Sequence, residues 1–370
     1  MTSASPAVSG HVAVTPGVSP ERHRLGSLLI RASTILLGLV IVVQSLYALG
    51  YISFGFSNWQ PVLVAYVLWS VALCWGLVLR DGEAGWRAIF VLPAVLFTVA
   101  LVIFPTVFGL FIAFSDWNLQ SANGRQFNGL ANLRQLWADP YFWNALGNMV
   151  FYVATVVVQY AIAFGLALLL NADIKAQKFF RVSFLLPFML SPVAVSWMIG
   201  KSMLEYRFGP VTNLLRWFGW ENPSLLTTPW LAKTTIALMD AWVWIPFMMI
   251  MILAGLQALS KEVQEAAKVD GATGWQGFWQ ITFPLMLPVS MTTIVLRVIF
   301  QLKLADIVIN TTSGGPGGAT DTISSFIFRE YKDRSNVGYG TMIAEIYLIL
   351  IIIFIALLLW ATNRFMQRHA

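Results

Sequence analysis

The residues able to carry covalent or acid–base chemistry are few and lie away from one another. Three histidines, His11, His23 and His369, sit near the two ends, and the lone cysteine, Cys74, falls in an apolar run from Trp69 to Leu79. One thiol cannot close an internal disulfide. With no internal histidine, neither a His/Cys metal site nor a Ser/His/Asp triad can be assembled. The run Ile199-Gly200-Lys201-Ser202 matches the tail of a phosphate-binding loop, but the first glycine position of such a loop holds Val195 and no strand precedes it. What remains is a set of charges in or beside apolar segments: Asp240, Arg297, Lys303, Asp306 and Glu345. Charge in such surroundings is costly and is a functional hypothesis by default. Two readings stand: mutual pairing or contact with a second chain, or exposure to a pathway. Lys303 and Asp306, three apart, have the spacing to pair on one helix face.

The elements that must position these charges are set by composition. The 370 residues are 58% hydrophobic and 11% charged, against about 25% charged in soluble domains. Charges cluster between long uncharged runs, as segments crossing hydrocarbon require. A spanning helix needs about 20 apolar residues, and the candidates are Ala32–Ile52, Pro61–Leu79, Ala88–Phe114, Leu146–Leu170, Val182–Leu204, Thr234–Leu259, Phe283–Leu304 and Tyr339–Thr362. The expected fold is therefore all-α, a polytopic membrane protein with about eight transmembrane helices. Residues 1–24, rich in Ser, Pro, Ala and Gly, read as a disordered cytoplasmic tail. The first apolar run exceeds the core of a signal peptide, about 7–15 residues, so it reads as a retained helix.

The formal charge of +6 would suit nucleic acid in a soluble protein; here it marks cytoplasmic loops. With the N-terminus inside, twelve Lys and Arg fall in short inner segments, eight in longer outer ones and three at or within spans. This favours both termini in the cytoplasm.

One inner stretch differs from the rest, running from Ser260-Lys261-Glu262-Val263-Gln264-Glu265-Ala266-Ala267-Lys268 to Val269-Asp270-Gly271-Ala272-Thr273. Ser260 is placed to cap a short helix. Asp270-Gly271 supplies its stop, because glycine accepts the left-handed conformation that ends helices. A second short helix, Trp275–Ile281, then leads into the membrane. The result is a polar elbow whose small residues, Ala266 and Ala267, admit close approach of a partner; physics alone leaves an ordinary amphipathic connector equally open.

The run Glu265-Ala266-Ala267, with Gly271-Ala272, Ile281, Pro284 and Pro288 at matching spacing, resembles the EAA loop of binding-protein-dependent ABC importer permeases. Leu186-Pro187-Phe188, Ala254-Gly255-Leu256-Gln257, Gly314-Gly315-Pro316 and Gly338-Tyr339-Gly340 extend the likeness to the carbohydrate uptake type, such as the maltose transporter's larger permease subunit. The resemblance covers about Phe90 to Phe365. It implies a six-helix permease core at 88–366 with its coupling loop at 260–281, preceded by two accessory transmembrane helices at 25–87. It also implies that Glu265, Ala266, Ala267, Asp270 and Gly271 dock on a cytoplasmic ATPase. Sugar-binding positions of the maltose-type subunit fall on Phe188, Pro192, Val243, Trp244, Phe247, Phe300, Gln301 and Leu304. Few polar groups are retained there, so maltose itself is disfavoured. Aromatic faces for sugar stacking and the Gln301 amide nevertheless suit a sugar.

The expected substrate path is thus Phe188, Trp244, Phe247, Phe300, Gln301 and Lys303. If Lys303 or Arg297 faces it, an anionic sugar, sulfonated or phosphorylated, becomes the expected cargo. The implied partners are a second homologous permease, two copies of an ATPase, an external solute-binding protein and the bacterial inner membrane. ATP and Mg would be bound by the ATPase, with no cofactor and no enzymatic activity in this chain. The competing reading is an ion-coupled secondary transporter using Asp240 and Glu345 as relays, which would usually show internal repeats; none is visible. A membrane enzyme is disfavoured by the missing catalytic constellation.

Overall fold

The structure, a computed structural model, describes residues 18–48, 50–120, 122, 124–172 and 174–369. Among them, seven helices are long and apolar enough to cross a membrane, or eight when one bent pair counts as a single span. The chain forms two compact units, dividing between Val107 and Phe108.

In the first unit, α1 (Pro20–Ala48) and α2 (Gln60–Asp81) form a hairpin. Gly26 and Gly76 sit where the two helices come closest: a side-chain carbon on Gly26 would overlap the backbone at Gly76 and Arg80. Gln44 closes the hairpin's loop, its Nε2 donating to the Phe56 carbonyl (2.8 Å) while its Oε1 accepts from the Phe56 N–H (3.2 Å). Residues 20–24, expected in the tail, belong to α1, and residues 1–17 of that tail lie outside the described residues. Gly82, at φ +56°, turns the chain into α3 (Glu83–Ala113), which carries the boundary between the units.

The second unit continues with a two-residue antiparallel pair, β1 (Ser115–Asp116) and β2 (Gln126–Phe127), and the short α4 (Ala131–Ala138). Asp139 caps α5 (Pro140–Asn171), its carboxylate accepting the Tyr141 N–H at 2.9 Å. The span expected at Val182–Leu204 is broken. It forms α6 (Gln177–Met189) and α7 (Pro192–Met203), bent by 93°. The cause is Pro192, which pushes the residue before it out of the helical region. Ser191 is accordingly extended (ψ 145°) and caps α7, accepting the Ala194 N–H at 3.2 Å.

After α8 (Pro210–Trp217) come α9 (Pro229–Ala258), α10 (Lys261–Val269) and α11 (Gly274–Gln301). The last elements are α12 (Asp306–Thr311), α13 (Ile323–Lys332) and α14 (Val337–His369). The core lies among α5, α9, α11 and α14. Along α5, Ala145, Met149, Val156, Ala163 and Ala167 recur at helical spacing on the buried face. Small residues let membrane helices approach; a side-chain carbon on Gly255 of α9 would overlap Met286 and Val289 of α11.

The carbonyls left free where α11 stops are taken by other elements. Tyr347 of α14 donates to Leu302 (2.7 Å), and Thr322, the cap of α13, donates to Leu304 (2.5 Å). The glycine-rich loop before α13 is pinned to α5 by Asn144 and Asn148, which donate to the Gly318 carbonyl at 2.6 and 3.1 Å. Beyond it, Arg329 pairs with Asp321 and Arg334 with Glu330, and burial raises both carboxyls above the ordinary range despite their partners.

Candidate functional sites: a polar elbow and an intramembrane aromatic cluster

The elbow is built from local signals. Ser260 Oγ accepts the Glu262 N–H at 3.2 Å and starts α10. Gly271, at φ +78°, ends it, with the Ala272 N–H donating back to the Ala267 carbonyl at 3.0 Å in the six-residue bond of a Schellman turn. Thr273 then opens α11 with a reciprocal cap: its hydroxyl accepts the Gln276 N–H (3.3 Å) while Gln276 Oε1 accepts the Thr273 N–H (2.9 Å). The expected second short helix, Trp275–Ile281, is therefore not separate. It is the first part of α11, passing through a π turn at Phe278–Thr282 into the apolar run.

Glu265, Ala266, Asp270 and Gly271 are exposed, whereas Ala267 is half-buried and lines a groove of about 600 Å³. The groove also takes Asn171 from the end of α5, Leu256 from α9 and Phe278 from α11. Of the two alanines, Ala266 offers the small outward surface and Ala267 faces inward. Beside them Val269 (87% exposed) and Trp275 (72%) leave large apolar groups bare.

The second site gathers side chains from three helices. Phe188 of α6, Trp244 and Phe247 of α9, and Phe300 of α11 form one aromatic cluster. Trp244 and Phe300 stack with ring centres 4.6 Å apart and planes within 25°, and Phe188 stacks on Phe247 at 5.7 Å. Phe188 and Phe300 remain over a third exposed, so the cluster presents aromatic faces as well as packing on itself. Gln301, beside Phe300, is fully buried. Its amide faces Asp240, and neither its oxygen nor its nitrogen reaches a hydrogen-bond partner among the described residues. A buried amide left this way is costly unless water or a ligand meets it. The other carried-over positions behave differently: Val243 and Leu304 are buried in a packing cluster, and Pro192 starts α7.

The intramembrane charges are redistributed relative to the sequence reading. Arg297 is fully buried and forms an ion pair with Asp240, so it faces no open path. Lys303 and Asp306 are both exposed and form no ion pair with each other. The reason is that α11 ends at Gln301, so the spacing no longer puts them on one helix face. Of Arg297 and Lys303, Lys303 is the exposed one. Glu345 of α14 lies against Gly109, whose missing side chain leaves it room. Sequence reasoning passed over Gln159 of α5, which is buried and bonded to both members of the Arg297–Asp240 pair. A glutamine in mid-span was the available signal.

Residues 161–367 match the family described as binding-protein-dependent transport system inner membrane component. The chain belongs to that family. The match takes in the elbow and all three of the cluster's helices, and with the apolar spans it makes the chain a multi-pass membrane protein. Among relatives of this transport component is a sulfoquinovosyl glycerol transport system permease protein of Agrobacterium fabrum, 31% identical over 273 residues, 74% of this chain and 88% of that one. A trehalose/maltose transport system permease protein of Thermococcus litoralis is 31% identical over 276 residues, 74% of this chain and 92% of that one. A lactose transport system permease protein of Rhizobium radiobacter is 33% identical, covering 72% and 90%. The fold also matches a chain in a bacterial alginate ABC transporter crystallised with its alginate-bound periplasmic protein. That match has a TM-score of 0.65 at 20% identity and covers 84% of this chain and 99% of that one.

Proposed function

We propose that this chain is the conducting permease subunit of an ATP-driven importer that carries a sugar or sugar derivative into the cytoplasm. The observation that carries the reading is the convergence of four aromatic rings from three spanning helices, two of them over a third exposed. Ring faces suit the apolar faces of pyranose sugars, and an amide both donates to and accepts from hydroxyls. Three relatives named for sugar or sugar-glycerol transport support the same cargo class.

In this reading, residues 88–366 form the permease core and 25–87 two accessory spans. Both termini are cytoplasmic, which places the elbow on the inner face. There Glu265, Ala266, Asp270 and Gly271 meet one of two ATPase subunits, which bind ATP and Mg and supply the energy. A homologous second permease completes the pore, and an external solute-binding protein delivers the cargo. Closure of the ATPases on ATP pushes the elbow and switches the path from outward to inward access.

The test is uptake by the reconstituted assembly across a panel of maltose, trehalose, lactose and sulfoquinovosyl glycerol. Uptake that requires ATP and survives collapse of the proton gradient supports the reading. Uptake abolished by that collapse, with ATP without effect, establishes an ion-coupled transporter instead. For the elbow, Ala266→Arg is expected to abolish co-purification of the ATPase while the chain still accumulates in the membrane. Lys303, the exposed cation past α11, favours a second reading within the same class, an anionic sugar. Lys303→Gln then lowers uptake of sulfoquinovosyl glycerol about tenfold and leaves uptake of any neutral sugar of the panel unchanged; undiminished uptake of the sulfonated sugar removes that reading.

A further inference from the structure

Asp240 and Trp244 are one helical turn apart on α9, and Arg297, Phe300 and Gln301 lie within one turn of one another on α11, so the two helices present matched faces. Arg297 joins them. Its Nη2 donates to Asp240 Oδ2, its Nε donates to Gln159 Oε1 of α5 at 3.0 Å, and its guanidinium carbon lies 5.0 Å from the centre of the Trp244 ring. Gln159 also donates to Asp240 at 3.3 Å and so holds both ends of the pair. The opposite charges cancel, all three side chains are buried, and Phe300 stacks on the same Trp244 at 4.6 Å. A second bond between α5 and α11, from Tyr160 Oη to Ser290 Oγ at 2.7 Å, holds these two helices together.

From this geometry we propose that Gln159, Asp240 and Arg297 are positioning residues that set sugar selectivity by holding Trp244 in register with Phe300, without touching the sugar. The inference rests on the aromatic cluster being the substrate surface. Arginine is required because its planar fork serves Asp240 and Gln159 together and still lies against the indole; lysine keeps the charge but loses the plane and the second donor. A side chain serving only to fasten the helices would leave the ratio of KM values among the sugars unaltered when its charge is retained.

The experiment labels the full chain, purified with its partners, with 5-fluorotryptophan and records fluorine spectra of its 16 tryptophans. Trp244→Phe assigns the Trp244 signal. In Arg297→Lys that signal is expected to shift by more than its linewidth while the others keep their positions. An unmoved signal overturns the proposal. If Arg297→Lys does not accumulate, the pair Asp240→Asn with Arg297→Gln removes both charges together, so that no lone charge is left buried. The same displacement is expected there, and an unmoved Trp244 signal again overturns the proposal. In the uptake arm, with maltose, trehalose and lactose as probes, Arg297→Lys is expected to raise KM at least fivefold for one sugar with kcat within twofold. KM values unaltered for all three, or kcat falling alone, overturn the selectivity role. If the unmodified assembly takes up neither these three nor sulfoquinovosyl glycerol, the sugar reading has failed, and the fluorine spectra alone still decide whether Arg297 positions Trp244.

Discussion

The elbow at 260–273 and the cluster around Trp244 are opposites in construction. The elbow is exposed, polar and made from neighbours in sequence: Ser260, Gly271 and Thr273 each shape a backbone bend within a few residues of themselves. The cluster is embedded and apolar, and draws Phe188, Trp244 and Phe300 from positions more than 50 residues apart. The elbow can therefore be altered residue by residue with local consequences. The cluster rests on a buried ion pair, so one change there reaches every helix that meets it.

The largest effect expected follows from that difference. Arg297→Ala leaves Asp240 buried beside an empty cavity, a loss of about 3–5 kcal/mol for a broken buried pair. Little assembled chain is expected in membrane extracts; normal yield and melting temperature would place both sites on an equal footing. Next, Gly271→Val puts a branched side chain at φ +78°, a strain of about 1–3 kcal/mol confined to the end of α10. The chain is expected to accumulate normally, with ATP-dependent uptake reduced at least tenfold. Reduced accumulation instead would show that the elbow is not locally autonomous. The smallest effect is Thr273→Ala, which removes one cap worth about 1 kcal/mol. A fall of a few degrees in melting temperature and a modest loss of uptake are expected, whereas a loss as large as that of Gly271→Val would give the start of α11 an additional role.

What could be read from sequence followed the same divide. The spans were visible because each is a long uncharged run, and the elbow because its caps are local and its residues match a known spacing. The Thr273–Gln276 cap was equally legible as a threonine three residues before a glutamine, but the continuity of α11 was not, because its long apolar run begins only at Phe283. The break at Pro192 could not be told apart from the other prolines. Among the prolines inside the expected spans, Pro93, Pro187, Pro246 and Pro288 remain within helices, while the residue before Pro192 turns extended. Pairing was the least legible. Three-residue spacing matched Lys303 with Asp306, while the pair that forms, Arg297 with Asp240, depends on two helices facing each other across the core.

The continuity of α11 has a mechanical consequence. From Gly274 at the elbow to Gln301 at the aromatic cluster the chain is a single rod of 28 residues, about 42 Å long at 1.5 Å per residue. No loop interrupts it, only the π turn at Phe278–Thr282. A displacement of one end would reach the other as rotation or sliding of a solid shaft; in the proposed importer, the push at the elbow and the hold on the sugar would be two ends of the same part.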